Sequence, residues 1–148
     1  MAEAPKWYDA YPKPRNTNPK AVSAKELLAL FQAGATAGVD FLLIDLRRVD
    51  HEGGTIRGSI NLPAQSLYPS LPVLLKICQS LPHVQQVVWY CGSSKGRGSR
   101  AAGWFSDLLE DHGINNIKSV ILSGGITGWV QNGPDFVNLT EEYDERAW

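Results

Sequence analysis

Short apolar runs alternate along the chain with segments in which apolar residues recur at helical spacing. Apolar runs predict strands at residues 41–44 and 87–90, and further short strands are predicted at residues 59–62 and 119–122. The segments that predict helices begin after the capping box Ser23-Ala24-Lys25-Glu26 and recur around residues 74–81 and 101–109. Alternating short apolar strands and helices favour a parallel sheet that is covered by helices on both faces.

The ends of the chain differ from its middle. Residues 1–20 contain four prolines and predict an extended N-terminal arm. Residues 21–140 carry the alternating pattern and predict one catalytic domain, which fits a chain of 148 residues. Residues 141–148 form an acidic C-terminal tail with four carboxylates against Arg146.

Composition and charge indicate which partners, compartment and cofactors to expect. The net charge is −1, which gives no indication of a nucleic-acid or membrane partner. Two cysteines and an N-terminus without an apolar signal region indicate a reducing compartment, so we expect a cytoplasmic protein, with the nucleus as the alternative. No Cys/His cluster has the spacing of metal ligands, so no metal and no resident cofactor are expected.

The segment from Cys91 to Arg100 carries the candidate chemistry. It follows a predicted strand, leads into a predicted helix, and contains three glycines, three serines and no acidic residue. Small residues let the backbone curl and aim N–H groups at one point, and the helix N-terminus adds partial positive charge. A cysteine in that setting should be largely thiolate. In open parallel sheets, ligands bind beyond the carboxyl ends of strands, which is where Cys91 lies.

These properties give each residue of the segment a predicted role. Cys91 is the candidate nucleophile, and Arg97 is the candidate clamp for two oxygens of a tetrahedral anion. The predicted oxyanion-binding loop comprises Gly92, Ser93, Ser94, Lys95, Gly96 and Arg97. Arg100 adds positive charge at the rim. Cys78 lies on the apolar face of a predicted helix and is interpreted as a buried core residue.

Four sequence motifs, in order, resemble those of the rhodanese-like superfamily. They are Asp45-Leu46-Arg47, the segment 52–63, the Cys-x5-Arg loop from Cys91 to Arg97, and Gly124-Gly125-Ile126-Thr127-Gly128-Trp129. The loop is one residue longer than in sulfur-transferring rhodaneses. In that respect it is similar to the M-phase inducer phosphatases and to the small, single-domain eukaryotic arsenate reductases related to them. The resemblance implies a single rhodanese-like α/β domain with a central, mostly parallel five-stranded sheet.

The chain also departs from the pattern of its relatives. Tyr90 stands where most relatives have histidine before the cysteine, and Thr55 replaces the histidine of the second motif. Gly92 and Gly96 occupy loop positions where the M-phase inducers carry glutamates proposed as proton donors. Leu46 replaces their cysteine that can form a disulfide with the nucleophile. These differences place the chain nearer the small single-domain members.

The leading prediction is a cysteine-dependent phosphatase of the protein-tyrosine or dual-specificity type, acting on a phosphorylated substrate through a thiophosphate intermediate. The first alternative is an arsenate reductase, with arsenate as substrate, glutathione as co-substrate and glutaredoxin as partner. The second is a thiosulfate sulfurtransferase, against which the loop length counts. A regulatory binding module is also considered, but such modules typically lose the cysteine.

The proton donor is a separate question. Asp45, at a strand end, is the candidate, although an aspartate beside Arg47 is more often a paired structural group. Asp50, His51 and Glu52, on the loop that follows, could also reach a leaving group.

Overall fold

A five-stranded sheet lies at the centre of the protein in the computed structural model. The structure describes residues 5–148, and for His51 it describes the backbone alone. The strands are β1 (Lys20–Val22), β2 (Leu42–Asp45), β3 (Thr55–Ile56), β4 (Ile60–Asn61), β5 (Gln86–Tyr90), β6 (Lys118–Leu122) and β7 (Thr140–Glu141). The central sheet has the order β1-β6-β5-β2-β4, and every neighbouring pair is parallel. The strands β3 and β7 form a separate antiparallel pair.

Helices connect these strands and cover both faces of the sheet. The α-helices are α1 (Ala24–Gln32), α2 (Ala64–Leu67), α3 (Leu71–Ser80), α4 (Arg97–Asp111), α5 (Gly125–Gln131) and α6 (Pro134–Val137). Short 3-10 turns occupy Trp7–Ala10, Val49–His51, Tyr68–Ser70 and Glu145–Ala147. No helix among residues 5–148 combines the length and the apolar composition needed to cross a membrane.

The two faces of the sheet pack into two separate cores because successive side chains of a strand point to opposite sides. On β5, Trp89 belongs to the core under α3 and α4, where its ring lies 5.6 Å from that of Phe105. The next residue, Tyr90, belongs to the other core, together with Phe41 and Trp129. The whole of β2 is buried, as its continuous apolar run predicted. The predicted fold class is confirmed.

Both terminal segments, the N-terminal arm and the acidic tail, contact the domain between them. Lys20, the last residue of the predicted arm, belongs to the edge strand β1 and pairs with Val120 of β6. The arm then packs along α4, where Trp104 Nε1 donates to the carbonyl of Pro12 at 2.8 Å. The first four residues of the predicted arm lie outside the described residues.

The acidic tail also returns to the domain. Glu141 pairs with Thr55 between β7 and β3. The carbonyl of Gly53 accepts hydrogen bonds from the backbone N–H of Asp144 at 3.1 Å and from Trp148 Nε1 at 3.0 Å. The tail therefore supports the 47–54 segment that leads away from β2.

Candidate active site

The predicted oxyanion loop lies at the carboxyl end of β5, next to the centre of the sheet. Cys91 follows the strand directly, and α4 begins at Arg97. Gly96, the residue before the helix, provides no side-chain cap, and the first turn contains no acidic residue. The positive end of the helix dipole is therefore directed at the loop without a neutralising side chain from the helix.

Cys91 is held in a tight turn. Its side chain is buried, and its Sγ accepts a hydrogen bond from the backbone N–H of Ser94 at 3.1 Å. Ser94 has a φ of 64°, in the left-handed region that non-glycine residues rarely adopt. Its carbonyl accepts a bond from the hydroxyl of Ser99 at 3.0 Å, which fixes this unusual conformation. The turn therefore points one backbone donor at the sulfur.

The closing motif of the sequence orients the first peptides of the loop. The carbonyls of Cys91 and Gly92 accept hydrogen bonds from the backbone N–H groups of Ile126 and Thr127, at 3.1 and 3.0 Å. In a trans peptide the carbonyl and the following N–H point in opposite directions, so the N–H groups of Gly92 and Ser93 point away from α5. In residues 5–148 these two N–H groups have no internal partner. They are available to an anion beside the sulfur.

Two glycines make this close packing possible. A Cβ on Gly125, which has a φ of 59°, would collide with the carbonyl oxygens of Cys91 and Gly92. A Cβ on Gly98 would lie 3.1 Å from Ser94 Cβ and 3.8 Å from Cys91 Sγ. Larger residues at either position would push the loop out of shape.

Arg97 makes a two-pronged ion pair with a residue from another segment. Its Nη1 and Nη2 donate to Oδ1 and Oδ2 of Asp50 at 3.0 and 2.7 Å. The hydrogen bond from Arg97 lowers the pKa of Asp50, and the hydrogen bond to Asp50 raises the pKa of Arg97. Cys91 acts on the pKa of Arg97 in the same direction, although more weakly than Asp50.

Asp50 brings a negative charge to a loop whose own sequence carries none. The segment 91–100 itself has no carboxylate, but the 3-10 turn Val49–His51 brings one to its arginine. The residues are distant in sequence, so local spacing gave no sign of the contact. The only signal was the position of Asp50 after β2, a strand that ends beside β5.

Asp45 lies in a buried ion pair rather than in the loop. Arg47 donates from Nε to Oδ1 at 3.0 Å and from Nη2 to Oδ2 at 2.8 Å, and Thr55 Oγ1 donates to Oδ2 at 3.0 Å. Arg47 also bonds the carbonyls of Asp50 and Gly54. The pair organises the segment that carries Asp50. A proton-donor role for Asp45 stays a prediction, and its occupied oxygens do not favour it.

The hydroxyl of Tyr90 is the centre of a second buried network. It lies 2.9 Å from Thr55 Oγ1 and 2.7 Å from Ser59 Oγ, and it accepts a bond from the backbone N–H of Ile56 at 3.2 Å. Burial raises the pKa of Tyr90, so the phenol stays protonated. Tyr90 and Thr55, two of the positions that depart from the relatives' pattern, are therefore direct partners. Their hydrogen bond joins β5 to β3.

The other residues singled out in the sequence, Lys95, Arg100 and Cys78, lie in three different surroundings. Lys95 is exposed on the loop. Arg100 lies on the first turns of α4, with its guanidinium 3.7 Å from the ring centre of Tyr8. Cys78 is buried, as predicted, and burial raises its pKa to about 11. Among the described residues, no group of three or more His, Cys, Asp or Glu side chains is arranged to hold a metal ion.

Comparison with known proteins places this geometry in a family. The family model of the rhodanese-like domain matches residues 23–132, well over half of the chain. The chain belongs to the rhodanese-like domain family. The match includes the loop, Asp45 with Arg47, and the Gly124-Gly125 turn.

Two curated relatives indicate the branch of the family to which the chain is similar. The chain is 32% identical over 96 residues to arsenical-resistance protein 2 of Saccharomyces cerevisiae, covering 61% of this chain and 74% of that protein. It is 30% identical over 125 residues to arsenate reductase 2.1 of rice, covering 81% of this chain and 72% of that protein. These relatives confirm the predicted branch of the family and the prediction of a cysteine-based enzyme.

Solved structures confirm the fold. The yeast protein Ygr203w, described as a homolog of single-domain rhodanese and of the Cdc25 phosphatase catalytic domain, aligns with a TM-score of 0.71 at 24% identity, over 89% of this chain and 93% of that one. The As-Sb reductase of Leishmania major aligns with a TM-score of 0.63 at 21% identity, over 83% and 85%.

Proposed function

We propose that the protein is an arsenate reductase that uses Cys91 as nucleophile and an external thiol as reductant. The observation that carries the proposal is the turn around Cys91, where the N–H of Ser94 faces the sulfur and those of Gly92 and Ser93 point away from α5. The names of the yeast and rice relatives support arsenate as the oxyanion.

In the first step, the Cys91 thiolate attacks arsenic. A sulfur–arsenic bond forms, and one oxygen leaves as hydroxide, which takes a proton to become water. The backbone N–H groups of Gly92 and Ser93, together with Arg97, stabilise the charge on the other oxygens. The positive end of α4 acts in the same direction.

In the second step, the external thiolate attacks Cys91 Sγ. The new sulfur–sulfur bond replaces the sulfur–arsenic bond, whose electron pair stays on arsenic, so As(V) becomes As(III) and leaves as arsenite. A second thiol then reduces the mixed disulfide and restores Cys91. Glutathione and glutaredoxin are the proposed reductants. Cys78 is a poor internal substitute because it is buried and its pKa is raised to about 11.

Phosphatase activity is the second candidate, because a phosphate ester presents the same tetrahedral anion to the same loop. An ester also needs a proton for its alkoxide leaving group. The described carboxylates nearest the loop are engaged: Asp45 by Arg47, and Asp50 by Arg97, which lowers the pKa of Asp50. These occupied carboxylates count against a phosphate ester, and the names of the yeast and rice relatives support arsenate as the substrate.

Three parallel assays of one preparation test the proposal. They measure arsenate reduction with glutathione and glutaredoxin, hydrolysis of an aryl phosphate, and transfer of sulfur from thiosulfate to cyanide. We expect arsenate reduction to be the fastest reaction, aryl phosphate hydrolysis to be slow, and vanadate to inhibit both because it can become five-coordinate like the transition state. Efficient sulfur transfer without vanadate inhibition would instead make the protein a sulfurtransferase.

A further inference from the structure

A cavity of about 280 Å³ lies between the N-terminal arm and the start of α4, beside the oxyanion loop. Three basic side chains line it: Lys13 from the arm, Lys95 from the loop and Arg100 from the helix. Among residues 5–148, none of the side chains that line it is acidic. The cavity is therefore a positively charged space outside the anion loop itself.

The three cations are not neutralised by any carboxylate in the part of the chain that the structure describes. Within residues 5–148, none of Lys13, Lys95 and Arg100 takes part in an ion pair. Arg100 is instead fixed by an aromatic face, with its guanidinium 3.7 Å from the ring centre of Tyr8. An arginine over an aromatic ring keeps its charge while losing freedom, so it is prepared for an anionic ligand.

The arm that completes the cavity is firmly attached to α4. Trp104 lines the cavity and donates from Nε1 to the carbonyl of Pro12 at 2.8 Å. Gly103 allows the backbone of Asn16 to approach so closely that a Cβ there would collide with the Asn16 carbonyl. The cavity walls are thus built from packed, hydrogen-bonded chain.

The cavity shares part of its lining with the oxyanion loop. Lys95 and Gly96 belong both to its lining and to the loop. Ser99, which also lines it, donates to the carbonyl of Ser94, whose backbone N–H in turn donates to Cys91 Sγ. A molecule that binds its anionic groups here can extend a thiol towards Cys91.

We propose that this cavity binds the carboxylates of the thiol reductant, an acidic thiol peptide of the glutathione type. The inference rests on the proposed arsenate reductase function, since it assigns the docking site of that reaction's second substrate. The oxyanion occupies the loop, and the reductant occupies the basic cavity beside it. The apolar part of the peptide packs against Tyr8 and Trp104.

Charge reversal at Lys13 tests the docking site, because Lys13 lies on the arm and outside the anion loop. We expect Lys13→Gln to raise the KM for glutathione about fivefold, and Lys13→Glu to raise it by about tenfold or more. The KM for arsenate, and the rate with the uncharged thiol 2-mercaptoethanol, should stay within about twofold of wild type. Lys25→Glu, at an exposed position of α1, is the matched control and should change neither KM.

Direct binding separates this inference from the proposed function. S-methylglutathione has the carboxylates but no free thiol, so calorimetry measures its docking without any arsenate chemistry. Binding by wild type that is weakened in Lys13→Glu and retained in Lys13→Arg supports the site even if arsenate is not reduced. Absence of binding at millimolar concentration, equal binding in Lys13→Glu, or equal loss of rate with glutathione and 2-mercaptoethanol would overturn it. Absence of arsenate turnover with either thiol would count against the proposed function instead.

Discussion

Arg97 and Asp50 are joined by two hydrogen bonds, one from each terminal nitrogen of the guanidinium to one oxygen of the carboxylate, at 3.0 and 2.7 Å. The guanidinium plane is therefore fixed by a residue outside the loop. The carboxylate also offsets part of the positive charge that an oxyanion would meet. In the proposed function, Asp50 therefore orients the guanidinium of Arg97 and competes with the oxyanion for it.

Asp50→Asn should strengthen oxyanion binding. The amide preserves most of the shape but removes the competing charge, so we expect vanadate to inhibit about fivefold more strongly. Inhibition constants measured at low ionic strength check this expectation. Asp135→Asn, at an exposed position of α6, is the control. Weaker inhibition in Asp50→Asn would mean that orientation of Arg97 matters more than competition for its charge.

The same pair should stabilise the fold in a pH-dependent way. Arg97 lowers the pKa of Asp50 from its ordinary value of 3.8, so the stabilisation is present above pH 3.8 and is lost as the pH falls through the lowered pKa. Because the Asp50 side chain is 47% exposed, the contribution should be below about 1 kcal/mol. Urea unfolding of wild type and Asp50→Asn should show a larger difference in the free energy of unfolding at pH 7 than near pH 2.5.

Cys91→Ser should lower turnover by at least about three orders of magnitude, because a hydroxyl is a far poorer nucleophile than a thiolate at neutral pH. The change is nearly isosteric, so the circular dichroism spectrum should be unchanged. Cys78→Ser is the matched variant and should keep most of the activity, with a stability loss of about 1–3 kcal/mol for the buried hydroxyl. Activity of Cys91→Ser within tenfold of wild type would remove Cys91 from the mechanism.

Arg97→Lys should reduce kcat by roughly a hundredfold. Lysine supplies the charge but not the planar pair of donors that both Asp50 and a tetrahedral anion require. Steady-state kinetics with arsenate measure the effect. Arg57→Lys, at an exposed position, is the control. Wild-type turnover in Arg97→Lys would move the clamp to another residue, with Arg100 the first to test.

Tyr90→Phe should destabilise the protein by about 1–3 kcal/mol, because it leaves the buried N–H of Ile56 without its acceptor. The hydroxyls of Thr55 and Ser59 lose the same partner. The midpoint of urea unfolding reports the loss, and Tyr143→Phe, at an exposed position, is the control. An unchanged midpoint would show that the network reorganises around the missing hydroxyl.

The sequence predicted the elements whose pattern is local. The apolar run before Cys91 became β5, the capping box at Ser23 begins α1, and the small-residue loop lies between β5 and α4. Each of these depends on periodicity or on neighbours within a few residues. The position of the nucleophile follows from them, because the loop could only lie at the carboxyl end of its strand.

Contacts between distant segments could not be predicted in the same way. The two-residue strands β3 and β7 are too short for a period to be recognised. The contact of Arg97 with Asp50 and the stacking of Arg100 on Tyr8 join residues far apart in sequence. Both depend on how separate loops meet once the sheet has formed.

The hydrogen bonds from Ile126 and Thr127 to the loop carbonyls determine when the site can exist during synthesis. These two donors lie more than 30 residues after Cys91, so a ribosome at roughly 5–20 residues per second exposes Cys91 seconds before its supports. Until then the growing chain carries an ordinary thiol with no set of directed N–H groups around it. In the proposed mechanism, the reactivity of Cys91 is therefore acquired late, when most of the domain has already emerged.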